Sequence, residues 1–168
     1  MSHPENDDAA RMKVREMVKD IRVAMLVTST EEGHLRARPM YVQHIDGDGH
    51  TAWMFSQAGT SKHEQIAEES EVLLAFSDPS HQNYVSIRGT ARTMHDPAKQ
   101  KELWSEGMRT WFPNGAEDPK IRLIAVHMEG AEYWDSINST VLHAYGYLKA
   151  IATGRPPEGG ENAKVSFA

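Results

Sequence analysis

Apolar positions change period several times along the chain, and each change marks an element. Val14, Met17, Val18 and Ile21 recur at i, i+3, i+4 and i+7, which predicts an amphipathic helix over residues 6–20. Val23 to Ser29 is a short β-prone run, and Glu31-Glu32-Gly33 turns the chain after it. Leu35 to Ile45 and Thr51 to Ser56 read as strands joined at Asp46-Gly47-Asp48-Gly49, where Asp-Gly pairs suit the positive φ angles of a tight hairpin. Thr60 to Glu69 returns to helical character. Val72 to Ser77 and Asn83 to Met94 are further strands around the turn Asp78-Pro79-Ser80, and Gly89 in the middle of the second predicts a bend or bulge. A helix opens at Asp96-Pro97, since proline in a first turn loses no hydrogen bond. Leu103, Trp104, Met108 and Trp111 continue it at helical spacing as far as Phe112-Pro113-Asn114-Gly115. Ile121 to Trp134 is a sixth strand and residues 140–151 a last helix. Gly154, Arg155-Pro156-Pro157 and Gly159-Gly160 make residues 153–168 read as a disordered tail.

Six β segments with antiparallel-type turns predict a mainly-β fold, a small barrel or rolled sheet carrying helices on its outside. No repeat or internal linker interrupts it, so residues 1–152 are expected to form one domain. The formal charge of −6, with Lys and Arg scattered, argues against a nucleic-acid surface. The absence of cysteine rules out disulfides, thiolate nucleophiles and zinc–thiolate sites, and it suits a reducing cytoplasm. The polar N-terminus does not read as a signal peptide, and no apolar run approaches the ~20 residues that span a bilayer. Nine histidines show no H-x-H or H-x-x-x-H pair, so no metal site is expected. No Gly-x-Ser-x-Gly elbow or nucleophile–base pair is present, and no catalytic residue is nominated.

One cluster stands out against the acidic background. Strand alternation puts Arg36, Arg38, Met40 and Val42 on one face, beside Ala37 and Pro39 on the other. Two guanidiniums on one face repel unless an anion lies between them, and Arg grips phosphate bidentately. Phe55-Ser56-Gln57 closes the next strand, and Ser61-Lys62 opens a helix whose first N–H groups favour an anion. A small phosphorylated cofactor could be held from two sides. Two alternatives use no ligand: Ser61-Lys62-His63-Glu64 is also a capping box, and the arginines could pair with surface carboxylates. Trp104, Met108 and Trp111 read as a helix stripe packed on the barrel, or as indoles of which one covers a bound ring; Trp111, opening a loop, suits a ligand.

Arg36-Ala37-Arg38-Pro39-Met40, then Trp53-Met54-Phe55-Ser56, then Ser61-Lys62 resembles the pyridoxamine 5′-phosphate oxidase-like flavoproteins. Leu103-Trp104, Trp111-Phe112-Pro113-x-Gly115, Asp118-Pro119 and Ala131-Glu132-Tyr133-Trp134-Asp135 are similar to the general stress protein 26 branch, and the resemblance covers roughly residues 10–136. It implies an FMN-binding split β-barrel that works as a homodimer, with flavin sites at the interface. Arg36 to Met40 would line the flavin and help hold its phosphate. Phe55 and Ser56 match a Tyr-Thr pair that contacts FMN in the oxidases, Ser61 and Lys62 match their Arg-Lys phosphate pair, and Trp134 matches a tryptophan reaching FMN from the partner subunit.

The departures bear on activity. Ser61 replaces an arginine, and Tyr84 stands where the oxidases place a flavin-contacting Gln. No arginine follows Trp134 before Arg155, so the oxidases' clamp for a vitamin B6 phosphate is missing and that activity is not expected. The implied function is an FMN-dependent oxidoreductase acting on an unidentified small molecule, with a nicotinamide or other reductant. The alternatives are a non-catalytic FMN store or sensor, a relative preferring deazaflavin, and, without an axial-ligand motif, a haem binder.

Overall fold

The computed structural model describes residues 4–135 and 161–167. Helix α1 (Pro4–Ile21) leads into strands β1 (Val23–Ser29), β2 (Leu35–Ile45) and β3 (Thr51–Gln57), then helix α2 (Ser61–Glu68). Strands β4 (Glu71–Asp78) and β5 (Asn83–Met94) follow, then the short helix α3 (Pro97–Glu102), a 3₁₀ turn at Glu106–Thr110, and strands β6 (Ile121–Asp135) and β7 (Glu161–Ser166). The strands pair antiparallel in the order β3-β2-β1-β4-β5-β6-β7, and β3 also pairs with β6. That last pairing closes β1 to β6 into a barrel, the fold the pattern predicted. The last predicted helix, residues 140–151, lies outside the described residues.

Alternation along each strand sends one face inward. Leu26, Met54, Leu74, Ile87, Ile124 and Val126 fill the barrel, and Val14, Met17 and Val18 of α1 plug one side of it. The predicted stripe on α1 is thus the helix's buried face. A second core lies outside the barrel, where Trp53, Phe55, Leu123 and Ala125 pack against Leu103, Met108 and Phe112.

Three expectations change. Leu103, Trp104, Met108 and Trp111 do not ride on one helix. α3 stops at Glu102, Ser105 is extended, and a 3₁₀ turn resumes the coil. A 3₁₀ turn repeats every three residues, so the spacing alone could not tell two short pieces from one helix. Leu103 and Met108 are buried, whereas Trp111 is 73% exposed. The helix at residues 61–68 is capped by Thr60, not Ser61, and Thr60 makes no side-chain capping bond; the capping-box alternative therefore fails. The third change concerns the tail, where residues 161–166 form β7 and Val165 and Phe167 are buried. β6 supplies the reason. Its first half pairs with β3 up to His127, while Gly130 to Asp135 runs past the end of β3 and would leave an open edge. Ala163, Val165 and Phe167 alternate at the period of two that such an edge requires, masked in the sequence by the Gly- and Pro-rich stretch before them.

Two glycines are needed by geometry. Gly49 has φ 76° in the β2–β3 turn, and a Cβ there would run into the Arg15 guanidinium. Gly89 sits where the β5–β6 register shifts, as its mid-strand position predicted, and a Cβ would lie 2.1 Å from the His127 carbonyl oxygen. Backbone cannot yield as a side-chain tip can. Gly89→Ala should therefore cost about 2–3 kcal/mol, roughly 4–12 °C in Tm for a chain of this size. Gly107→Ala, with nothing within 4 Å of its Cβ, should leave the thermal midpoint nearly unchanged. Equal midpoints for the two variants would show that the bulge tolerates a side chain.

Candidate functional site

At one end the barrel interior turns polar. Along the β1–β2 ladder the inward pairs run from Ala24/Met40 through Leu26/Arg38 to Thr28/Arg36. Arg38 donates to Thr28 Oγ1 at 2.6 Å and to Gln65 Oε1 at 2.8 Å, and Thr28 Oγ1 donates to Gln65 Oε1 at 2.7 Å. Gln65 is a buried residue of α2, so this triangle ties the helix to the barrel and fixes the guanidinium. All its partners are neutral, and two of the five N–H groups of Arg38 are used.

The opening of α2 adds the next cation. Lys62 Nζ donates to Thr60 Oγ1 at 3.0 Å, and Thr60 Oγ1 donates to the Gln57 carbonyl at 3.2 Å. His63 Nε2 lies 3.0 Å from Ser56 Oγ, which is itself buried. Ser56 is directly opposite Arg122 in the β3–β6 register. Arg122 is held by the carbonyls of Pro119 and Ile121, at 2.9 and 2.8 Å.

These groups disturb one another. Burial, and then the charge of Arg36, lowers the pKa of Arg38. Burial, and then Arg38, lowers that of Lys62. Burial, then Lys62 and Arg122, pushes His63 down, against a hydrogen bond to the Gln57 backbone that pulls it up. Each cation is penalised twice, by lost water and by a like charge. Among the described residues no carboxylate pairs with Arg36, Arg38, Lys62 or Arg122. The alternative of surface ion pairs for the two arginines is therefore not realised. An anion would relieve all of these penalties at once, and the first turn of α2, with no side-chain cap, adds backbone donors of the right polarity.

The remaining sequence candidates fall in different places. Ala37 and Pro39 face outward, and Met40 is part of the barrel core. The Phe55 ring points away from Ser56 into the second core, 6.2 Å from Trp104 and 6.1 Å from Phe112. Gln57 and Ser61 are exposed at the start of the loop and of the helix. Trp111 stands exposed beyond the second core. Trp134 is at the other end of β6 from Arg122, on the order of 40 Å along a strand rising about 3.3 Å per residue. The cation cluster and Trp134 of one chain are thus not brought together. His63, which the sequence suggests as a partly buried helix residue and not a catalyst, is indeed half-buried on α2; Thr28, Gln65, Thr60 and Arg122 carry no local signal in the sequence. The pairing of Arg122 with Ser56 depends on register, which no local pattern reveals.

The outer face of the sheet is apolar for a surface. Pro39, Met25 and Ala75 form one lateral row, and Ala37, Val27 and Leu73 the next. Val23, Met25, Tyr41, Tyr84 and Trp134 are each 39–49% exposed. Two open clefts of about 460 and 480 Å³ flank Arg88 on this face, and the larger reaches Thr28.

The sequence matches the family model "pyridoxamine 5′-phosphate oxidase like" over residues 9–158. Among solved structures it is similar to a putative general stress protein 26 from Jannaschia sp. CCS1, at TM-score 0.76 and 24% identity, over 95% of this chain and 99% of that one. It is also similar to the general stress FMN/FAD binding protein of Xanthomonas citri, at TM-score 0.68 and 30% identity, over 79% of this chain and 92% of that one. Protein bli-3 of Neurospora crassa is 21% identical over 140 residues, 79% of this chain and 67% of its own length. The ordered motifs, the closed six-stranded barrel and the family match agree: this chain belongs to the pyridoxamine 5′-phosphate oxidase-like family.

Proposed function

We propose that the protein binds FMN and serves as an FMN-dependent oxidoreductase of the general stress protein type, acting on a small molecule. The observation that carries this reading is the uncompensated cation cluster beside an uncapped helix start. The similarity to the Xanthomonas citri FMN/FAD binding protein supports a flavin as the anion's owner. Arg38 and Lys62 would hold the phosphate, with Arg36, Ser56 and Ser61 around it. Bound FMN would supply the redox chemistry, exchanging a hydride with a nicotinamide or other reductant and with the substrate. The protein's part would be to bind, orient and exclude water, so the absence of an acid–base dyad in the sequence is no obstacle.

A homodimer fits the rest. The apolar residues of the outer face stand in adjacent rows and are not scattered singly. Trp134 lies on that face and is remote from its own chain's cluster, so a second chain is its natural route to a flavin. No helix among the described residues is long and apolar enough to cross a membrane, and the cysteine-free composition suits the cytoplasm. Asp135, where the oxidases begin their substrate clamp, instead pairs with Lys13 of α1. That contact engages Asp135 with the chain's own helix, and the lack of an arginine between Trp134 and Arg155 favours a substrate other than a vitamin B6 phosphate. It also leaves room for a second reading, a flavin store or sensor without turnover. Reduction of the bound flavin by NADH or NADPH and its reoxidation by an acceptor would decide for the enzyme, and inert bound flavin for the store.

Lys62→Ala should weaken FMN about 10- to 100-fold, the loss of one charge-assisted hydrogen bond, while riboflavin loses little. Fluorescence quenching titrations measure both, and equal losses would place Lys62 away from the phosphate. The same titration with a deazaflavin tests the choice of ring, and tighter binding of it would displace FMN from the proposal. In sedimentation the protein should run as a dimer. Met25→Asp, at an exposed point of the apolar face, should give a folded monomer with weakened FMN binding. A wild-type monomer that binds FMN at full strength would remove the shared site.

A further inference from the structure

His63 is a titratable group at the cluster that a static phosphate grip does not need. Its Nε2 is 3.0 Å from Ser56 Oγ, and Ser56 Oγ also lies 3.5 Å from the Gln57 carbonyl oxygen. A neutral imidazole has one ring hydrogen. With that hydrogen on Nδ1, Nε2 is an acceptor and takes the Ser56 hydroxyl hydrogen, at a shorter distance than the Gln57 carbonyl offers. If Nε2 gains a proton from solvent, the bond reverses. Nε2–H then donates to Ser56 Oγ, and the hydroxyl hydrogen is released to bond an anionic oxygen.

We propose that His63 is a proton-coupled binding residue, neutral in the free protein and protonated when a phosphate monoester dianion enters between Arg38 and Lys62, with Ser56 switched from donor to His63 to donor to the phosphate. This rests on the reading of the cluster as the flavin phosphate seat. The charged groups that bear on His63 are Lys62 on its own helix and Arg122 on β6, with Arg38 of β2 beside Lys62. Among the described residues no carboxylate acts on it. All of its charged neighbours are cations, which hold the ring neutral when the site is empty. A dianion reverses the sign of that field. The free-state pKa lies below the ordinary imidazole value of about 6.5, and the bound-state pKa rises. Binding between the two takes up a proton, so affinity falls as pH rises through the bound-state value, by at most about tenfold per pH unit. The coupling also separates ligands by charge: a flavin without phosphate gives His63 no reason to ionise.

Calorimetry of FMN and riboflavin binding between pH 7 and 8, in two buffers of different ionisation enthalpy, counts the protons exchanged. In this range the phosphate is already mostly dianionic, so a proton taken up belongs to the protein. FMN should bind with net uptake and riboflavin with none. His63→Gln should still bind FMN but without uptake, and its affinity should no longer depend on pH in this range. FMN binding without uptake, or uptake that persists in His63→Gln and so belongs to Lys62, overturns the proposal and leaves the flavin reading standing. If FMN does not bind, the flavin reading falls. His63 is then decided by NMR titration of its imidazole in the wild-type protein with and without inorganic phosphate. A higher titration midpoint with phosphate supports the proposal, and an unmoved one overturns it.

Discussion

The pairing of β3 with β6 closes the barrel, and both the core and the candidate site depend on it. Its register sets Met54 against Ile124 on one side of the wall and Phe55 against Leu123 on the other. The first pair belongs to the barrel core and the second to the outer core under the 3₁₀ turn. One strand pair therefore anchors two hydrophobic clusters. The next pair along the same register, Ser56 and Arg122, lies at the polar end of the barrel. A shift by one residue would send every side chain to the opposite face and dissolve all three arrangements together. Such a site is held by the same hydrogen bonds that hold the fold.

The polar end of the barrel is assembled against electrostatic preference. Burial first, and then a neighbouring cation, lowers the tendency of each of Arg38, Lys62 and His63 to carry charge. Neutral hydroxyl, amide and carbonyl groups orient them without compensating them. A carboxylate in the same place would make the chain more comfortable on its own and compete with any incoming anion. Surface cations elsewhere show the contrast. Lys99 bonds Glu102, Lys101 pairs with Glu117, and Arg109 is held by Glu106, each serving local structure. In an acidic protein with carboxylates to spare, their exclusion from one cluster is what the proposed anion seat requires.

The outer sheet face and the C-terminal strand share one problem, unfinished surface. β6 outruns β3, and β7 covers the exposed edge with Ala131 opposite Val165 and Glu132 opposite Lys164. The added strand brings Glu161 to Tyr133, whose burial and hydrogen bond to that carboxylate raise its pKa to about 12. Phe167 then packs against His50, edge to face at 5.9 Å. The other side of the wall, from Tyr41 to Trp134, has no such cover within the described residues.

Local periodicity determined much of this protein. The six barrel strands, α1 with its buried stripe, the hairpin turn and the bulge at Gly89 all follow from alternation, helical spacing and turn residues, which act between near neighbours. The order of motifs also determined the family, and with it an expectation of where a phosphate is held. What depends on distant parts of the chain was decided only by the tertiary structure. Two short coils at Pro97–Glu102 and Glu106–Thr110 mimic one helix because both place apolar residues at similar spacing. The strand at Glu161–Ser166 exists because β6 offers it an edge, a condition set far upstream. Arg36, Arg38 and Lys62 were legible as cations. That they crowd together without a carboxylate, with Thr28, Gln65, Ser56, His63 and Arg122 around them, follows from barrel closure and from the seat of α2, because charge interactions depend on distance in space and not on separation in sequence.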